Sequence, residues 1–184
     1  MTDLELLRPW QEDLMGMMRL PPQPNGSVHL VVGESGVGKT AFSKYATLEN
    51  NKECAILMPP AQGPQDMAFW CKERGPQRCY IVDFPTNAYK LQIRNPYWEA
   101  ISSMKDGKLA GEEGYGPATV IIFFGPKAKG LDLSFGWGED FHILRVDKKT
   151  MKLQDRLQHD VAWDPEAGAW KRLPIPKKEM QTCL

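Results

Sequence analysis

The amino-acid sequence predicts an α/β fold in which a mostly parallel sheet is covered by helices on both faces. Short apolar runs alternate along the chain with amphipathic segments, a pattern that favours strand–helix–strand units. The first of these runs, residues 28–32, leads directly into a glycine-rich turn and then into a helical segment. With 184 residues, 42% of them hydrophobic, the chain is long enough to bury a sizeable core.

The glycine-rich turn matches G-x-x-x-x-G-K-[ST], the pattern of a phosphate-binding P-loop. Its glycines allow backbone conformations in which successive N–H groups turn toward one anion. Lys39 is expected to reach the β- and γ-phosphates of ATP, and the Thr40 hydroxyl to hold Mg²⁺. The predicted nucleotide-binding residues are Gly33, Glu34, Ser35, Gly36, Val37, Gly38, Lys39 and Thr40.

The chain before the P-loop predicts a helix and a linker. Residues 4–19 carry apolar side chains at near-helical spacing, with Pro9 in the first turn. Proline and glycine then interrupt this pattern over residues 20–26. We therefore expect an N-terminal helix and Pro-rich linker over 1–26, a P-loop domain over 27–146 and a C-terminal tail over 147–184.

Further apolar runs predict the other strands of the sheet, and the segments between them predict helices. The strands are expected at residues 53–58, 78–83, 118–124 and 141–146, and the helices after the P-loop at 65–72 and 97–105. In the tail, residues 161–170 are compatible with a small hairpin that brings Trp163 near Trp170.

Asp83 follows the apolar residues of its strand and is the candidate for a second catalytic group. A P-loop enzyme needs a carboxylate at the end of a neighbouring strand to orient Mg²⁺ or the attacking water; the alternative is an acid that merely caps a strand. The additional strand at 53–58 favours the ATPase and helicase branch of P-loop folds, in which another strand is inserted between the P-loop strand and the strand of the acid. Small nucleotide kinases instead carry an arginine-bearing lid, and residues 107–116 contain no arginine.

Charge and cysteine content narrow the possible partners. Lys+Arg and Asp+Glu both number 23, so any contact with nucleic acid must be local. No apolar run approaches the ~20 residues of a membrane span, and the acidic N-terminus is unlike a signal peptide. The four cysteines have no C-x-x-C spacing and the histidines do not cluster with them. We expect an intracellular protein with reduced thiols and no membrane contact.

Several motifs occur in the order of a known family. Arg8-Pro9-Trp10-Gln11, Val82-Asp83-Phe84-Pro85, residues 97–108 with Tyr115, and residues 120–123 follow one another along the chain. They resemble the domain entry, second ATPase motif, B′ motif and third motif of superfamily 3 helicase domains. The nearest resemblance is to the replication-associated (Rep) proteins of circular single-stranded DNA viruses, in particular nanoviruses and alphasatellites. It covers roughly residues 7–146.

The resemblance implies a homo-oligomeric ring that uses ATP and Mg²⁺ to move along single-stranded DNA or RNA. It implies that Lys39 and Thr40 bind the phosphates and Mg²⁺, and that Asp83 supports the metal and the water. It also implies that Lys105 and Lys108 lie on or beside a protein hairpin that binds the nucleic acid. A solvated surface turn is an equal alternative for residues 104–116, which carry two lysines and three acidic residues. No nicking motif precedes the helicase-like region, so origin cleavage is not expected.

Three positions depart from the family pattern. Thr86 stands where the family has an arginine, Gly125 where the third motif has an asparagine, and Glu139-Asp140 where the family has Asp-Arg. Loss of an arginine finger costs ~10³–10⁵ in rate, and loss of one water-positioning amide on the order of 10²–10³. If neither Arg145 nor Lys127 substitutes, ATP should bind but turn over slowly. An active helicase, a nucleotide-binding remnant and a small P-loop kinase remain alternative hypotheses.

Overall fold

The computed structural model describes residues 6–50, 56–58, 64–75, 77–84, 95–108, 116–126 and 139–175. Within these ranges the helices are α1 (Pro9–Met18), α2 (Lys39–Asn50), α3 (Pro64–Arg74) and α4 (Asn95–Lys105). The strands are β1 (Ser27–Val32), β2 (Ile56–Met58), β3 (Cys79–Asp83), β4 (Thr119–Phe124), β5 (Phe141–Val146), β6 (Leu153–Gln154), β7 (Asp160–Asp164) and β8 (Ala169–Arg172).

These strands form one sheet in the order β2-β3-β4-β1-β5-β6-β7-β8. The first five are parallel, and β6, β7 and β8 continue the sheet in antiparallel fashion. The predicted α/β class and mostly parallel sheet are confirmed. A strand does separate β1 from β3, but it is β4, whereas the 53–58 run supplies β2 at the sheet edge beyond β3.

Helices cover both faces of the parallel part. Side chains of α1 and α2, among them Trp10 and Phe42, pack against Val31 and Phe123 on one face. On the other face, α3 and α4 pack against alternate residues of β1 and β4. Every residue of β1 and β4 is buried, because a central parallel strand is covered on both sides. None of the described helices is both long and apolar enough to span a membrane.

Residues 147–175, expected to be a tail, extend the sheet of the P-loop region. The hairpin is present as β7 and β8, with Trp163 opposite Trp170 and their ring centroids 5.3 Å apart. Leu153 and Val161 belong to the same core cluster as Trp10. The helix α1 therefore packs against both the parallel strands and this antiparallel extension.

Candidate nucleotide site

The P-loop connects the carboxyl end of β1 to the first residue of α2. Gly36 and Gly38 have φ angles of 84° and 96°, in the left-handed region that side chains with a Cβ rarely adopt. The loop is held at both ends, since the Gly33 N–H donates to Phe124 O at 3.1 Å and the Phe42 N–H to Gly38 O at 2.9 Å. A glycine turn at the positive end of a helix is a favourable site for a phosphate group.

Lys39 lies inside this loop, with only 4% of its surface exposed. Its ammonium group donates hydrogen bonds to the backbone carbonyls of Gly33 and, at 2.9 Å, Glu34. Burial lowers the pKa of Lys39, while the negative charges of Asp83 and Glu34 act in the opposite direction. The ammonium group of Lys39 is thus buried against the backbone of the loop itself.

Asp83 lies at the end of β3, next to the Thr40 hydroxyl. Burial raises the pKa of Asp83, while the neighbouring Thr40 hydroxyl and the charges of Lys39 and Lys44 act in the opposite direction. A threonine hydroxyl and a carboxylate are hard oxygen donors of the kind that Mg²⁺ binds in P-loop sites. The structure therefore brings together the three side chains, Lys39, Thr40 and Asp83, that the sequence singled out.

A cleft of about 350 Å³ opens beside the start of the P-loop. Gly33 and Glu34 form one wall, and Arg145 lines the cleft from the end of β5, where its Cα pairs with that of Val32. Lys148, also in the lining, forms an exposed ion pair with Glu34 at 3.1 Å. Arg145, considered above as a substitute cation, is thus close to the loop, whereas Lys127 and Thr86 lie outside the described residues.

Gly125 follows directly on β4 and is buried. The preceding residue, Phe124, accepts the Gly33 N–H, so Gly125 lies at the same edge of the sheet as the P-loop. The family resemblance predicts a third-motif asparagine at this position, where glycine supplies no side chain. Glu139 and Asp140 precede β5 and lie at the opposite edge, because β5 runs parallel to β1; the Asp140 carbonyl accepts the Val28 N–H at 2.7 Å.

The placement of Lys105 does not agree with the expected nucleic-acid contact. Lys105 is 6% exposed, and its ammonium group donates to Asn25 O at 2.8 Å. It also pairs with the carboxylates of Asp106 at 2.8 Å and Asp140 at 3.6 Å. These bonds fasten the end of α4 to the segment before β1, which is a structural role. Lys108 is exposed, and residues 109–115 of the expected hairpin lie outside the described residues.

Three residues at the loop escaped the sequence-based prediction of the site. Arg8, Trp10 and Gln11 each donate a side-chain hydrogen bond to a backbone carbonyl of the P-loop. In the sequence, Arg8-Pro9-Trp10-Gln11 was informative only through its family resemblance. No local spacing rule connects it to a loop some 27 residues downstream.

No protein-family profile and no curated protein matches the chain. Among solved structures, the chain is similar to one titled as the RuvB Holliday junction branch migration motor of Thermotoga maritima. The identity is 20% and the TM-score 0.42, over 66% of this chain and 38% of that one. The chain spans well under half the length of that neighbour, and the assignment of a P-loop fold rests on the strand order and the loop geometry.

Proposed function

We propose that the protein binds ATP with Mg²⁺ at residues 33–40 and hydrolyses it. The observation that carries the proposal is the position of the Asp83 carboxyl at the carboxyl edge of the sheet, beside the P-loop residues Lys39 and Thr40, both of which lower its pKa. The carboxyl reaches the end of the P-loop from a strand two positions away in the sheet.

The roles of the residues follow from their positions. Backbone N–H groups of the loop bind the phosphates, and Lys39 balances the charge on the terminal phosphate. Thr40 and Asp83 provide oxygen atoms for Mg²⁺, which when bound stabilises negative charge on the phosphate oxygens. Asp83 also lies where a carboxylate can orient the attacking water.

Hydrolysis is expected to be slow. Gly125 has no side chain with which to orient a water molecule, and such a donor contributes on the order of 10²–10³ in rate. Arg145 in the adjacent cleft is the candidate for the missing positive charge near the terminal phosphate.

The finer proposal is a superfamily 3 helicase-like motor that moves on single-stranded nucleic acid as a homo-oligomeric ring. It is supported by the order of the motifs and by β4 lying between β1 and β3. The second candidate is a nucleotide-binding remnant of such a motor, and Gly125 favours it. The same strand order disfavours a small P-loop kinase.

Purified protein tests these hypotheses. ATP binding is measured by calorimetry, and hydrolysis by phosphate release with and without single-stranded DNA, for the wild type, Lys39→Ala and the control Lys72→Ala on the exposed side of α3. We expect the wild type and Lys72→Ala to bind ATP, and Lys39→Ala to have lost ATP binding. Hydrolysis accelerated by DNA supports the helicase, and binding without hydrolysis supports the remnant. Transfer of phosphate to a nucleoside monophosphate would contradict both, and absence of ATP binding would overturn the site.

A further inference from the structure

We propose that the first turn of α1 is a brace that holds the P-loop in its phosphate-binding conformation. The brace consists of the side chains of Arg8, Trp10 and Gln11, which act as positioning residues. The inference deepens the proposed function and rests on it for its effect on nucleotide binding, although the organisation of the loop can be tested in the free protein.

The three side chains engage three consecutive carbonyl groups. Arg8 Nη1 donates to Gly36 O at 2.9 Å, Trp10 Nε1 to Val37 O at 3.2 Å, and Gln11 Nε2 to Gly38 O at 3.3 Å. Each of these donors comes from the same helical turn.

The direction of these bonds determines where the loop N–H groups point. In a planar trans peptide, the C=O of one residue and the N–H of the next point in opposite directions. Holding the carbonyls of residues 36–38 toward α1 therefore turns the N–H groups of Val37, Gly38 and Lys39 away from it. Successive N–H groups directed to one side form the concave nest that binds a phosphate. The brace removes part of the ordering cost that a free loop would incur on binding.

The donors are themselves fixed by the fold. Trp10 is 0% exposed, and its ring packs against those of Phe42 and Phe123 at centroid distances of 5.3 and 5.8 Å. Its backbone N–H donates to Met151 O at 2.9 Å. Gln11 is held by its Oε1, which accepts the Arg8 backbone N–H at 2.9 Å. The brace thus connects the loop to the core.

The fit between brace and loop is close. A Cβ atom added to Gly38 would lie 2.9 Å from Gln11 Nε2 and 3.2 Å from Arg8 Nη1. The positive φ angle of Gly38 favours glycine there, and a side chain would also displace the ends of the Gln11 and Arg8 side chains. At Gly36, by contrast, an added Cβ would meet nothing within 4 Å.

The test compares Arg8→Met, Gln11→Met and the double variant with Arg19→Met, a matched change at the exposed end of the same helix. Inorganic tripolyphosphate and MgATP are titrated by calorimetry. Backbone amide exchange of Phe42, whose N–H group donates to the braced Gly38 carbonyl, is measured in the nucleotide-free protein. In the double variant we expect about 10-fold weaker binding of both ligands, equivalent to about 1.4 kcal/mol, and about 10-fold faster exchange. Arg19→Met should match the wild type, and circular dichroism verifies that each variant is folded.

Exchange at the wild-type rate in the double variant would overturn the brace, as would wild-type affinity despite faster exchange. If Arg8→Lys restores binding while exchange stays fast, Arg8 contacts the phosphate directly and the positioning role is wrong. A wild-type protein that binds neither ligand would contradict the proposed function, whereas amide exchange would still decide whether the brace organises the loop.

Discussion

The hydroxyl group of Thr40 lies close enough to the carboxyl group of Asp83, at the carboxyl edge of the sheet, to lower the pKa of that carboxyl. Thr40 belongs to the first turn of α2 and Asp83 ends β3, with β4 lying between β3 and the P-loop strand. The pair can only form because both parallel strands end at the same edge. The arrangement places two oxygen atoms that could bind Mg²⁺ at the phosphate-binding loop.

Replacing Thr40 by alanine should reduce the contribution of Mg²⁺ to ATP binding, because one of the two oxygen ligands is lost. We expect a loss of about 10-fold in the affinity ratio measured with Mg²⁺ and with EDTA. Thr40→Ser keeps a hydroxyl group and is the matched control, with a ratio near that of the wild type. Equal losses in both variants would argue that the methyl group matters and the hydroxyl does not.

Gly125→Asn should increase ATP turnover by restoring an amide at the end of β4. The φ angle of Gly125 is not positive, so the backbone accepts a side chain without strain there. In other enzymes, one hydrogen-bond donor to the transition state contributes a factor on the order of 10²–10³ to the rate. Because the surroundings of residue 125 are not adapted to an asparagine, we expect the variant to gain about 10-fold in turnover. Steady-state phosphate release measures the change. Gly125→Ala adds a side chain without the amide, and an equal increase in that control would refute the alignment of this position.

Lys105→Met should destabilise the fold by about 1–3 kcal/mol, because Asp106, Asp140 and the Asn25 carbonyl lose their shared partner. Lys108→Met, three residues later on the exposed side, should change stability by less than about 0.5 kcal/mol. Urea unfolding measures both. If Lys105→Met keeps wild-type stability but binds single-stranded DNA more weakly, the result would support the nucleic-acid contact that the resemblance implies for Lys105.

Features that lie within a short stretch of the sequence could be predicted from it. The P-loop could be recognised because its glycines, Lys39 and Thr40 lie in one short segment whose spacing is dictated by a phosphate group. Apolar runs likewise revealed the central strands, since β1 and β4 are buried along their whole length. Both signals are contained within a few residues.

Contacts between residues far apart in the sequence could not be predicted in the same way. Lys105 is engaged by Asn25, 80 residues earlier, and charge counting over 104–116 contains no trace of that partner. The brace from α1 reaches the P-loop across 27 or 28 residues for the same reason. Strand order is also nonlocal: periodicity revealed the 53–58 strand, but only the packing of the sheet places it beyond β3 and inserts β4 beside β1.

A second nonlocal contact connects β1 to the antiparallel extension. Trp170 Nε1 donates to His29 Nδ1 at 3.0 Å, and His29 Nε2 lies 2.9 Å from Ser27 Oγ. Because the indole N–H is only a donor, Nδ1 must accept, which assigns the proton of a neutral ring to Nε2. Burial, together with the neighbouring His142 ring stacked at 4.9 Å, holds the pKa of His29 well below its ordinary value of 6.5.

This arrangement predicts that His29 makes a destabilising contribution in mild acid. Below pH 6.5 the unfolded chain takes up a proton on His29 that the folded state does not, so the free energy of unfolding falls as pH decreases. The contribution approaches about 1.36 kcal/mol per pH unit below the unfolded pKa. In His29→Gln, the glutamine amide supplies one acceptor and one donor in place of the ring. The slope of the unfolding free energy against pH should be smaller in this variant. The part of the slope due to His142 should remain, because burial also lowers the pKa of His142. Urea unfolding at pH 7, 6 and 5 measures the slopes, and identical slopes for wild type and variant would show that His29 is protonated in the folded protein.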